Sequence, residues 1–233
     1  MKKQLKMAAM AVLSCSALFW SCKKDEAPKQ YAKLNVFNMS PDAPGFNVQS
    51  DSTIVGPYVL LYGANTGYLN IEAGNRNLLM TTYRLDSVDT VAYRIPANLA
   101  VNQSFSLFLV DSFSKKSSLL VNDKLDSLSK TRAHLRFINL CPDTLRRADL
   151  VMAADSSTIF GNMFFRDVTS FREMMPGDYK WKVRYMLGDM DTMWLDIPLK
   201  VMNAGKAYTV ILQGFIDGTG KQALQTQVAT NQE

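Results

Sequence analysis

The 233-residue chain holds one histidine and three cysteines, and its one pronounced apolar run, Met7 to Trp20, is fourteen residues long. Each shortage excludes something. A lone histidine, His134, leaves the chain almost without the commonest general base near neutral pH. No Gly-x-Ser-x-Gly occurs, so there is no elbow on which to mount an acyl-transfer nucleophile. One histidine and one cysteine beyond residue 22 cannot make a zinc tetrad. Asp86 with Asp89, and Asp189 with Asp191, offer oxygen ligands at turn positions, but calcium takes about six to eight. No pair among the 21 acids stands out as a glycosidase couple. The reading is a chain that is not an enzyme and needs no metal or cofactor. Fourteen residues also fall short of the roughly 20 of a spanning helix.

What is present is ordinary globular composition, 47% apolar and 20% charged, which excludes a largely disordered chain and a multi-span membrane protein. The formal charge of +5 is inflated at the start, where Lys2, Lys3 and Lys6 meet no acid; beyond residue 21, 23 basic residues face 21 acidic ones. So thin a surplus does not suggest nucleic-acid binding, which needs a concentrated basic surface.

Residues 1–21 have the order of an export signal: lysines, the apolar run, then Ser21 before Cys22 and an abrupt polar turn at Lys23, Lys24, Asp25 and Glu26. A small residue before such a cysteine resembles the bacterial lipobox, although Phe19 stands where leucine is usual. The resemblance implies that Cys22 is acylated and becomes the first residue of the mature chain, with residues 22–30 as a lipidated tether. Several acyl chains would hold the protein durably at a membrane. Lys24, Asp25 and Glu26 resemble the export signal of Bacteroidetes surface lipoproteins, which implies the outer face of the outer membrane. Cys15 leaves with the signal, so Cys141 alone remains, no disulfide framework is possible, and Cys141 reads as a small buried or turn residue.

An internal repeat organises the rest. Residues 32–42, AKLNVFNMSPD, recur as residues 133–143, AHLRFINLCPD. Further matches keep nearly the same offset, among them Gly74 with Gly177, Tyr83 with Tyr185, and Ile95–Pro96 with Ile197–Pro198. Two modules follow, residues 31–123 and 131–233, joined by the polar residues 124–130. Within each the apolar period is two, the mark of strands with one buried face. Ala32, Leu34 and Val36 alternate with Lys33, Asn35 and Phe37; Ala133, Leu135 and Phe137 alternate likewise, which places His134 on an exposed side. Tyr179, Trp181, Val183 and Tyr185 face away from Lys180, Lys182 and Arg184. The next segment fixes a hairpin in which Tyr185 meets Met193, Val183 meets Leu195 and Trp181 meets Ile197, with Lys182 opposite Asp196 and Arg184 opposite Trp194. The same register in the first copy turns Leu79, Tyr83, Val91 and Ile95 inward. About seven short strands per module predict an all-β protein: two tandem immunoglobulin-like antiparallel β-sandwich domains.

The first strand stops at Asn38, Met39, Ser40, Pro41, Asp42, Ala43, Pro44, because Pro41 has no amide hydrogen and Asp42 can bond the following backbone. With Tyr68, Ala73 and Gly74 in copy one, and Gly205, Tyr208, Thr209 and Gly214 in copy two, this stretch resembles a bacterial surface-domain family, domain of unknown function 4397. Copy two departs from it with Cys141, Pro142, Asp143 and Thr144, followed by Arg146 and Arg147. The resemblance implies an envelope-associated β-domain and supplies no activity.

Recognition residues on a sandwich sit in end loops. The candidates are Arg146, Arg147, Phe164, Phe165 and Arg166, with Tyr58 and Tyr62 behind them, as aromatics that stack on sugar rings beside a cation. Two functions compete: surface display of both modules to an extracellular glycan or protein partner, and a structural subunit of a fimbrial or envelope assembly that pairs through edge strands.

Overall fold

The computed structural model describes residues 28–231 except Ser52, Tyr58, Leu85, Asp86, Lys116, Asp189 and Met190, and leaves aside the side chains of residues 83–93. The export signal and Cys22 therefore lie outside what is described, as do Tyr58, Asp86, Asp189 and the side chains of Tyr83, Asp89 and Val91, on which the expected inward placing of Tyr83 and Val91 rests. Among the described residues every extended element is a strand, and the only helices are three 3-10 turns.

The repeat in the sequence is a repeat in topology. The first half runs β1 (Tyr31–Asn38), β2 (Phe46–Ser50), β3 (Thr53–Ile54), β4 (Leu69–Glu72), β5 (Gly74–Arg84), β6 (Ser87–Leu99), β7 (Ser104–Val110) and β8 (Ser117–Asn122). The second half runs β9 (Ala133–Asn139), β10 (Ala148–Met152), β11 (Thr158–Met163), β12 (Arg172–Met174), β13 (Gly177–Met186), β14 (Thr192–Met202), β15 (Ala207–Gln213) and β16 (Gln225–Asn231). Four sheets result, ordered β4-β1-β7-β8 and β3-β2-β5-β6 in the first half, and β12-β9-β15-β16 and β11-β10-β13-β14 in the second. Each half is thus a four-on-four sandwich of eight strands rather than the expected seven. In both, the opening strand pairs antiparallel with the fourth but parallel with the seventh, so neither sandwich is wholly antiparallel as expected.

Each sandwich has its own core. Leu34, Val36, Leu107 and Leu109 meet Phe46, Val48, Leu78 and Met80 in the first, and Leu135, Phe137, Val210 and Leu212 meet Leu150, Trp181, Val183 and Tyr185 in the second. The β13–β14 hairpin takes the expected register, including Trp181 with Ile197, Val183 with Leu195 and Tyr185 with Met193. Lys182 reaches Asp196 at 3.4 Å. Arg184 lies opposite Trp194 but turns instead to its other neighbour strand, where its Nε donates to Asp149 at 3.1 Å. A carboxylate on β10 outbids an indole because a charge-assisted bond is stronger than a cation-π contact. The first-half hairpin is slipped by one residue from expectation: Leu78 pairs with Ile95, so Leu78 and Met80 are buried and Leu79 is not. Two register shifts, at Met80/Thr81 and Thr82/Arg84, each set an extra residue in β6 nearer the turn.

The opening strands are not half-exposed. β7, β9 and β15 are buried along their whole length, and β1 nearly so. Sheet β4-β1-β7-β8 turns its second face to the second face of β12-β9-β15-β16, so the halves stack as four layers with a third core between them. Phe37, Met39, Phe108 and Val110 from the first half meet Ile138, Leu140, Ile211 and Ala229 from the second. His134, expected on an exposed side, is 1% exposed, with neither ring nitrogen hydrogen-bonded and the Glu173 carboxylate 3.9 Å from Nε2. Lys33 and His134 occupy matching strand positions, paired with Asn70 of β4 and Glu173 of β12, but Lys33 is half-buried where His134 is buried.

β1 and β9 both run away from the point where the chain enters the fold. At the entry end, here the foot, Gln30 accepts the Ala73 amide and Tyr31 accepts that of Asn102. At the far end, here the head, Arg166 donates to Ser117 Oγ (2.6 Å) and to the Ser118 carbonyl (2.7 Å), tying the second half to the first.

Gly214 illustrates how tightly the head turns are built. Its φ is +98°, and a Cβ would stand 2.2 Å from the Ala223 carbonyl oxygen. Gly74, at φ +102°, has nothing within 4 Å of its Cβ position. Gly214→Ala is expected to destabilise by about 3 kcal/mol and Gly74→Ala by about 1 kcal/mol, since only the first adds a backbone collision to the strained φ. Urea denaturation of both variants checks the order; equal losses would refute the steric reading.

Candidate functional site

The two signature turns are locks. Asn38 and Asn139, one repeat apart, do the same work: Asn38 Nδ2 donates to the Leu60 carbonyl (3.1 Å) and Asn139 Nδ2 to that of Met163 (2.9 Å), while each Oδ1 accepts the amide two residues on. Ser40 Oγ donates to the Asp111 carbonyl at 2.8 Å, and Asp42 accepts the Phe113 amide at 2.7 Å. Asp143 instead accepts the Leu145 and Arg146 amides and pairs with the Arg146 guanidinium at 2.8 Å. Burial works to raise the Asp143 pKa, but these donors overcome it and hold the carboxyl below the usual carboxylate range. All of this backbone satisfaction is structural chemistry.

Beside the second lock, at the head, lies an open groove of about 670 Å³. The loop before β10 contributes Leu145, Arg146 and Arg147; the end of β11 contributes Phe164; and the β13–β14 hairpin contributes Arg184, Met186 and Leu187. Three of the five candidates from the sequence thus come together. Arg146 also donates through Nε to the Leu187 carbonyl at 3.0 Å, which fixes its side chain across the groove. Asp143 and Asp149 offset Arg146 and Arg184, whereas Arg147 has no carboxylate partner among the described residues and its Nε points to the Met186 sulfur at 3.0 Å. Leu145 is 88% exposed and Phe164 is 40% exposed. The arrangement offers one uncommitted guanidinium flanked by wet apolar surface, a setting suited to recognition.

The other two candidates stand elsewhere. Phe165 packs on the core between the halves, and Arg166 carries the bonds to Ser117 and Ser118 described above. Tyr62 is half-buried, and burial pushes its phenol up to about 12. Cys141 is buried with its sulfur 3.5 Å from the Tyr185 hydroxyl, and burial raises its thiol pKa. That environment makes it inert. Among the described residues no group of three or more His, Cys, Asp or Glu could hold a metal ion.

A second feature was not foreseen. Where the halves meet toward the foot, Arg136 and Asp123 form an ion pair 2.6 Å apart with side chains 2% and 0% exposed. Asp123 Oδ2 also accepts the hydroxyls of Tyr68 (2.7 Å) and Ser106 (2.8 Å), and Arg136 Nε donates to Thr209 at 2.8 Å. The guanidinium carbon lies 4.6 Å from the Phe171 ring centre. Arg136 Nη2 has no hydrogen-bond partner in the structure. In the sequence Arg136 takes the place of Asn35 and looks like any polar strand residue; nothing local announces that the facing sheet will cover it.

Two sheets per half, a signature turn at each head and an opening strand shared by both copies are the features against which relatives can be set. Residues 32–146 match one family, the domain of unknown function (DUF4397). The match runs from β1 through the first half and ends just after the second signature turn, so it covers the first sandwich and the opening strand of the next. No curated protein matches the chain. Among solved structures, the chain is similar to a candidate cell adhesion protein from Bacteroides ovatus, at 10% identity over 88% of this chain and 98% of that one, with a TM-score of 0.26. A second candidate cell adhesion protein, from Bacteroides eggerthii, matches at 14% identity over 88% of this chain and 97% of that one, with a TM-score of 0.25.

Proposed function

We propose that the chain is a non-catalytic lipoprotein of the outer membrane, anchored through Cys22 and exposed at the cell surface, whose head groove binds an extracellular glycan or protein. The observation that carries this reading is placement: Arg147, Phe164 and Leu145 gather at the end of the fold opposite the point where the chain enters it. A tether at the foot leaves such a groove facing outward. A guanidinium without a carboxylate partner beside an exposed ring and an aliphatic side chain suits sugar faces and peptide side chains alike. The immunoglobulin-like type of the sandwiches, and a second copy of the DUF4397 domain over residues 131–233, belong to the same proposal; the repeated strand order supports both.

Glycan-array binding by the full chain is expected to fall by about tenfold in an Arg147→Ala, Phe164→Ala double variant, one guanidinium and one aromatic contact together contributing more than about 1.4 kcal/mol. Equal signals from the two proteins, or no bound glycan together with no bound surface protein, would reject the groove. The rival reading, a fimbrial or envelope building block, finds less support at the outer strands. Pro96 in β6 and Pro198 in β14 each sit on an edge and remove a donor that strand addition needs.

A further inference from the structure

We infer that the foot of the molecule is a membrane-resting surface, a ring of lysines and one arginine that sits on anionic lipid headgroups, with exposed apolar side chains at the same end. This rests on the proposed acylation of Cys22.

Reach is the first argument. Pro28 is the first described residue, six residues beyond Cys22. Six residues extend to at most about 22 Å, so a lipid on Cys22 cannot hold the foot far from the bilayer. Which residues form that end follows from the turns around it. The Asn102 amide bonds the Tyr31 carbonyl, the Lys124 amide bonds Asn122, and the Gly205 amide bonds the Arg132 carbonyl. Lys130 touches the same turn, since its carbonyl lies 3.0 Å from where a Gly205 Cβ would be. Both halves therefore contribute to one end.

Chemistry is the second argument. Lys124 and Lys130 are exposed and Lys206 partly so, and none of them forms an ion pair among the described residues. Arg132 turns toward the Met175 sulfur rather than to an acid. The acids at this end are Asp51, Glu72, Asp126, Asp155, Glu173 and Asp178, of which Asp51 and Glu72 are engaged by Arg76 and Glu173 lies against His134. At the same end, Tyr31 is 46% exposed, Val101 39% and Met175 61%. Cations and exposed apolar side chains at one end match a phosphate-bearing interface, where amphipathic surface and charge add. The head turns carry acids and cations side by side, Asp42, Asp111, Asp143, Asp167 and Asp217 with Lys115, Arg146, Arg147, Arg166 and Lys221.

The test uses the full acylated chain in vesicles of phosphatidylcholine, with or without phosphatidylglycerol, and a lipid carrying a headgroup spin label. A fluorophore is placed at the foot by Thr131→Cys and, in a separate protein, at the head by Leu145→Cys. Quenching in the anionic vesicles is expected to be about threefold stronger at the foot, and to fall by about half in Lys124→Glu, Lys130→Glu, Lys206→Glu or in high salt. Equal quenching at the two ends, or quenching that ignores both charge reversal and salt, overturns the inference. Intact mass separates the two levels: an acylated chain whose foot is not quenched rejects the resting surface alone, while a chain without acyl groups rejects the anchor and the inference with it.

Discussion

Arg136→Ala is expected to destabilise the protein by about 3–5 kcal/mol, the usual consequence of stranding one member of a buried ion pair. Asp123 would be left fully buried, still bonded to Tyr68 and Ser106 but facing an empty position where a cation lay 2.6 Å away. Thr209 would lose the Nε donor, and Phe171 the guanidinium that covers its face. For a chain of this size that is a shift in Tm on the order of 10 °C. The control is the double variant Asp123→Ala, Arg136→Ala. Removing both charges removes the uncompensated one, so the double variant is expected to lose less than the two single variants together. Urea denaturation of the four proteins checks this, and a single-variant loss below about 1 kcal/mol would mean that solvent reaches the pair.

The second large effect concerns cooperativity. Phe37 and Phe108 stack with ring centres 4.6 Å apart in the core between the halves. Phe108→Ala is expected to cost about 3–5 kcal/mol, as an aromatic fully removed from a packed site does. Its further consequence is that the halves lose part of what makes them unfold together. Trp181 and Trp194 both belong to the second half, so tryptophan fluorescence follows that half while far-ultraviolet circular dichroism follows both. In the wild type the two probes are expected to give one coincident transition; in Phe108→Ala they are expected to separate. Coincident transitions in the variant would place the coupling elsewhere, with Arg136 and Asp123 as the first alternative.

The two kinds of strand in this fold explain how far the sequence could be read. The β13–β14 hairpin has one wet face, so its apolar and charged residues alternate strictly, and a slip of one residue would bury Asp196. Its register was legible to the residue. The β5–β6 hairpin has two register shifts, at Met80/Thr81 and Thr82/Arg84, each with an extra residue in β6 that no alternation rule records, so one constant register counted from the turn misses that Ile95 meets Leu78. The opening strands were legible as strands but not in their surroundings. Phe37, Phe108, Ile138 and Ile211 interrupt the alternation because each points to a second buried face, as near-continuous apolar runs do when a sheet is covered on both sides.

The candidate groove divides the same way. Arg146, Arg147 and Phe164 were chosen as loop residues with suitable chemistry, and the loops before β10 and after β11 do meet. Phe165 and Arg166 follow Phe164 directly, yet their side chains leave the groove, and Arg166 has φ +73°. A left-handed backbone at that residue redirects the chain toward the first half, and side-chain chemistry alone does not encode that turn.

By itself the sequence determined the doubling of one β module, the strand-forming segments and the locking turns at Asn38 and Asn139. These depend on contacts close along the chain or on a periodicity that survives copying. Only the tertiary structure decided that the modules share a third core, that Arg136 and His134 are buried, and that Asp123 and Arg136 find each other. Those facts depend on which face of one sheet meets which face of another, and a surface residue and an interface residue share the same polarity pattern until the second surface arrives.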